Sequence, residues 1–68
     1  MSKTTTIAKN IKKYRKEKGL SQDKLARLAD IAHATIIKIE SSGIQSPTID
    51  TVQKIAEALD VGVDDLIK

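Results

Sequence analysis

Between His33 and Ser41 the run H-A-T-I-I-K-I-E-S carries side chains suited to recognition rather than reaction. With Ile36 and Ile39 turned inward, a helical period leaves His33, Ala34, Ile37, Lys38 and Ser41 on the outer side. The chemistry on offer there is hydrogen bonding and methyl contact. Lysine can donate to guanine O6 and N7, histidine can donate or accept at a purine N7, and Ala34 and Ile37 can pack on thymine methyls. Ile37 in the middle of this side also suits contact with another protein. Reaction chemistry has little support. His33 is the only histidine, there is no cysteine, and no carboxylate stands beside His33 at ligand spacing, so neither a metal site nor a general base is expected. Without a glycine-rich phosphate loop or a nucleophile motif, the chain reads as non-enzymatic, with no cofactor.

The elements that would position this side lie just before it. From Ser21 to Glu40 the sequence predicts two short helices joined by a turn at Ala29-Asp30-Ile31-Ala32. The first, Gln22 to Ala29, carries Leu25, Ala26, Leu28 and Ala29 on its inner side; the second, His33 to Ser41, carries Ile36 and Ile39. Ser21 is placed to cap the first helix by accepting from a backbone N–H near Lys24. Two helices that cannot bury their apolar stripes alone, linked this tightly, make a helix-turn-helix.

The spacing of G-L-S-Q-D-K-L-A (Gly19 to Ala26), I-x-K-I-E (Ile36 to Glu40) and P-T-I-D-T-V-Q-K-I-A-E-A-L-D-V (Pro47 to Val61) resembles the lambda repressor and Cro family of helix-turn-helix domains. The likeness runs from roughly Ile11 to Ile67. It implies an all-α, compact five-helix domain that binds double-stranded DNA, often as a two-fold homodimer, and regulates transcription. It further implies that Arg15 pairs with Glu40, clamping the first helix to the end of the third, and that Gln22 caps a phosphate site by donating to the DNA backbone. A dimer surface on the loop before the fourth helix and on the last helix would comprise Ile44, Val61, Val63 and Ile67. The chain departs from the family pattern in three places. Asp30 stands where the turn usually has glycine, Ala32 stands at a capping position it cannot fill, and Gly43 comes one residue late, which leaves Ser42 to adopt the terminating conformation.

Charge and length set independent bounds. The formal charge is +3, with +6 in Met1 to Lys18, none in Gly19 to Pro47 and −3 in Thr48 to Lys68, so a polyanion would meet the leading end first. Sixty-eight residues suffice for one small core but leave little room for a catalytic cleft, and the chain is read as a single domain with residues 1–6 flexible. No apolar run is long enough for a signal peptide or membrane span, which gives an expected location in the cytoplasm, at the nucleoid.

In chain order, Lys3 could lie along a phosphate backbone, and Ile7, Ile11 and Tyr14 recur on one helical face that Gly19 terminates. Tyr14 is expected in the core with its hydroxyl at the rim. Ser41 to Pro47 reads as a loop, followed by a fourth helix capped by Thr48 with Val52, Ile55, Ala56 and Leu59 inward, and a last turn from Val63 to Ile67. Backbone contacts are expected from Gln22, Arg27, Thr35, Ser41, Ser42, Gln45, Ser46 and Lys12. Two functions remain open: a DNA-binding transcriptional regulator, or a protein-interaction module on the same fold, such as an antitoxin-like or accessory subunit.

Overall fold

A computed structural model describes residues 6–44 and 46–68 of the chain. The expectations for Lys3 and Gln45 fall outside these residues. The order of elements is α1 (Thr6–Glu17), α2 (Gln22–Ala29), α3 (His33–Glu40), α4 (Ile49–Leu59) and α5 (Val63–Ile67), with no strand among the described residues. Thr6, expected in the flexible leader, opens α1.

The helix ends follow from local chemistry. Gly19, at φ 69°, ends α1 in the left-handed region, where its N–H donates to the Lys16 carbonyl and that of Leu20 to the Arg15 carbonyl. Ser21 caps α2, its Oγ accepting from Lys24 N at 3.0 Å, and Thr48 caps α4 in the same way through Thr51 N at 3.3 Å. Asp30 and Asp60 close α2 and α4 at φ 58°, so aspartate does twice what glycine commonly does. Ala32 makes no side-chain cap to α3. Ser42 takes the left-handed conformation at φ 66°, while the N–H groups of Gly43 and Ile44 both donate to the Lys38 carbonyl, at 2.7 and 3.1 Å. The late glycine therefore shifts the turn onto a serine.

One core joins all five helices: Ile7 and Ile11 from α1, Leu25, Ala26 and Ala29 from α2, Ile36 and Ile39 from α3, Val52, Ile55, Ala56 and Leu59 from α4, and Leu66 from α5. Tyr14 packs at its margin. Aliphatic side chains of similar size suit such a core because they interdigitate in few rotamers. Leu28, expected inside, is 56% exposed. Helix α2 packs on α3 and α4 through Leu25, Ala26 and Ala29, and Leu28 lies beyond the edge of that stripe, where none of the described elements covers it. Asn10 ties α1 to the end of the chain, its amide donating to the carbonyls of Leu66 at 2.9 Å and Lys68 at 3.3 Å. These are carbonyls a helix end cannot satisfy internally.

Candidate nucleic-acid interface

The site is built on the side of α3 that the core leaves outside. Ile36, Ile39 and Glu40 are buried, whereas His33, Ala34, Ile37 and Lys38 are exposed, Ile37 to 43%. The four residues predicted to read base edges thus share the open side of one helix. Thr35 is half-buried at its flank.

What holds α3 in place is a carboxylate shared by three helices. Glu40, 4% exposed, accepts from Arg15 Nε at 2.7 Å and from the second guanidinium nitrogen, Nη2, at 3.0 Å, in a two-pronged ion pair. Gln22 Nε2 donates to the same carboxylate at 3.1 Å. Arg15 also gives Nη1 to the Leu20 carbonyl at 2.8 Å, so the guanidinium is satisfied on both edges. Arginine suits the position because its planar fork matches a carboxylate. The network fastens α1, the start of α2 and the end of α3 together, and no buried side-chain polar atom among the described residues lacks a partner.

Gln22 was expected to serve the backbone of a bound duplex; in the structure its amide nitrogen is engaged by Glu40 through one hydrogen and has a second N–H to give. Sequence reasoning placed Arg15 beside Glu40 but had no signal for the third partner, which depends on how α2 approaches α3. The other backbone candidates are scattered. Arg27 is exposed and pairs with Asp23 at 3.1 Å, one turn earlier. His33 Nδ1 stands 3.9 Å from the same Asp23, so the first turns of α2 and α3 are adjacent. Ser41 Oγ donates to the Lys38 carbonyl at 3.1 Å, and Ser42 forms the turn after it. Lys12 lies on α1 with Lys9, Lys13 and Lys16, which together line one shallow groove.

The apolar candidates divide. Ile44, Val61 and Val63 pack against the core, half-buried, while Ile67 is 59% exposed. Near it Ile49, which had drawn no notice as the first residue of α4, is 67% exposed, and both line a groove with Thr6, Ile7, Ser46, Pro47 and Val52. Its only sequence signal was an apolar residue directly after a capping threonine.

Five short helices around an aliphatic core, with a capped helix pair presenting the outer side of its second member, define a helix-turn-helix domain. The helix-turn-helix family model matches residues 11–66, and the chain belongs to that family. It is similar to the HTH-type transcriptional regulator SinR of Bacillus subtilis (strain 168) and to SinR of Bacillus licheniformis, each 39% identical over 61 residues, 90% of this chain and 55% of the relative. The chain thus spans about half the length of these curated relatives. Among solved structures, the N-terminal DNA binding domain of SinR from Bacillus subtilis superimposes with a TM-score of 0.88 at 39% identity, covering 91% of this chain and 90% of that one. Both relatives are HTH-type transcriptional regulators.

Proposed function

We propose that this chain binds double-stranded DNA and regulates transcription, with α3 seated in the major groove. The observation that carries this reading is the open outer side of α3, where His33, Ala34, Ile37 and Lys38 stand exposed on a helix whose inner side is anchored by Ile36, Ile39 and the Glu40 network. A rigid helix with one uncovered side can present a fixed pattern of donors and methyl groups to base edges. Lys38 donates to a guanine, His33 to a purine N7, and Ala34 and Ile37 meet thymine methyls. Thr35 in α3, Ser41 and Ser42 just after it, and Gln22 and Arg27, which reach α3 through Glu40 and Asp23, contact phosphates, Gln22 through its remaining N–H and Ser41 by exchanging its bond to the Lys38 carbonyl. The likeness to the DNA binding domain of SinR supports the same assignment.

The regulator acts as a two-fold homodimer reading half-sites about 34 Å apart. Its contact surface is centred on exposed Ile67 and the adjacent Ile49. Ile44, Val61 and Val63 support that surface from the margin of the core.

The test is selection of duplexes from a random pool, followed by gel retardation of the selected sequence at rising salt. A palindromic product with affinity falling steeply with salt is expected. No retardation even in dilute buffer would remove the DNA reading and favour the exposed side of α3 as a protein contact.

A further inference from the structure

Helix α1 carries Lys9, Lys12, Lys13 and Lys16 at the i, i+3, i+4 and i+7 positions of one side. That side is opposite the buried Ile7, Ala8 and Ile11. The groove that these lysines line holds no residue of α3, whose exposed side carries His33, Ala34, Ile37 and Lys38. Among the described residues none of these lysines has a carboxylate within ion-pair distance, and Lys13 rests 5.3 Å from the centroid of the Tyr14 ring. Four cations converge on one groove without an anion to answer them.

We propose that this stripe is a second, sequence-independent phosphate-binding face, which holds a duplex segment different from the one read by α3, and that Lys12, expected among the backbone contacts of that first duplex, belongs to the second segment instead. The proposal rests on the DNA-binding reading above. From Lys9 to Lys16 the helix advances about 10 Å, and a duplex presents one negative charge per roughly 1.7 Å of axis, so several phosphates lie within reach of the stripe. Lysine offers a point charge without the planar fork that selects a base edge, which makes the face indifferent to sequence.

The acidic end of another copy, with Glu57, Asp60 and Asp64, is the competing occupant. Exposed ion pairs between proteins contribute only about 0–1 kcal/mol each, and Asp50 and Asp65 are already paired with Lys54 and Lys68. Four lysines on DNA instead release counterions, giving a slope of about −3.6 for the logarithm of affinity against the logarithm of salt. Magnitude therefore favours DNA.

The test uses the full chain on a bead-immobilised duplex, washed and then offered a fluorescent second duplex. Wild-type protein is expected to capture the second duplex, whereas K9Q/K12Q/K13Q/K16Q keeps the first and loses capture by about tenfold or more. Glutamine preserves helix propensity, and a thermal melt checks folding. The control K18Q/K54Q/K68Q, which lowers net charge elsewhere, should retain capture. Undiminished capture by the quadruple variant, as two α3 helices of a dimer on separate duplexes would give, overturns the proposal. So does parallel loss of the first duplex, which would put the stripe and α3 on one segment. DNA-free sedimentation at low salt showing self-association that the quadruple variant abolishes would assign the stripe to a second copy and overturn it as well. A wild-type chain that leaves even the immobilised duplex unbound instead refutes the DNA-binding reading on which the proposal stands.

Discussion

Replacing Glu40 by glutamine tests whether the carboxylate shared by α1, α2 and α3 governs the fold. Glutamine has nearly the same shape, so the change removes charge and one acceptor while leaving packing almost untouched. In the native chain the two carboxylate oxygens accept from Arg15 Nε, Arg15 Nη2 and Gln22 Nε2 at 2.7, 3.0 and 3.1 Å. In Glu40→Gln one of those oxygens becomes an NH2 group, which must face a donor whichever way the amide is turned. The guanidinium of Arg15, whose side chain is 11% exposed, is left without its counter-charge. Breaking a buried pair from one side costs about 3–5 kcal/mol. The retained bond from Arg15 to the Leu20 carbonyl and the remaining amide oxygen place this case near the lower end, at about 3 kcal/mol. A domain of this length has roughly 3–10 kcal/mol in all, so the variant should be close to unfolding. The melting temperature, followed by circular dichroism, should fall by about 12–24 °C. The double variant R15M/E40M removes both charges together and should recover most of the loss. A fall of less than about 4 °C in the single variant, or a double variant no more stable than the single, would refute this account.

Other outcomes follow from the same geometry. Ala32→Ser supplies the missing cap at a residue whose extended backbone, φ −67° and ψ 138°, already fits the role, and should raise stability by about 1 kcal/mol, read as a higher melting temperature. Lys38→Ala should cost about 1–3 kcal/mol on the selected duplex and relax base preference at one position. Arg27→Ala should weaken all duplexes alike and reduce the salt slope by about one, as gel retardation at several salt concentrations would show. Ile67→Lys should convert the proposed dimer to a monomer in sedimentation without lowering the melting temperature of the domain, because that side chain is exposed.

Much of the fold was legible because its signals are local. Ser21, Thr48 and Gly19 mark helix ends through hydrogen bonds reaching at most a few residues along the chain, and α2 ends where its apolar pattern and Asp30 predicted. Leu28 was misplaced because periodicity gives the apolar side of a helix but not its width. The width depends on which neighbours arrive, and here α3 and α4 reach Leu25, Ala26 and Ala29 but stop short of Leu28. Ile49 was overlooked for the converse reason: nothing in a first-turn isoleucine shows that the described residues will leave it exposed.

The candidate site divides along the same line. Residue types along α3 were enough to say which side chains would be exposed and which would be buried, since both follow from a 3.6-residue repeat that each helix carries by itself. The meeting of Gln22 with Glu40, the contact of Asn10 with the last carbonyls and the lack of any α3 residue in the lysine groove were decided by tertiary structure alone. Each depends on the packing of helices distant in sequence. A hydrogen bond between residues 18 or 56 positions apart leaves no periodic trace in either segment, so it becomes visible only when the core has set the distance between them.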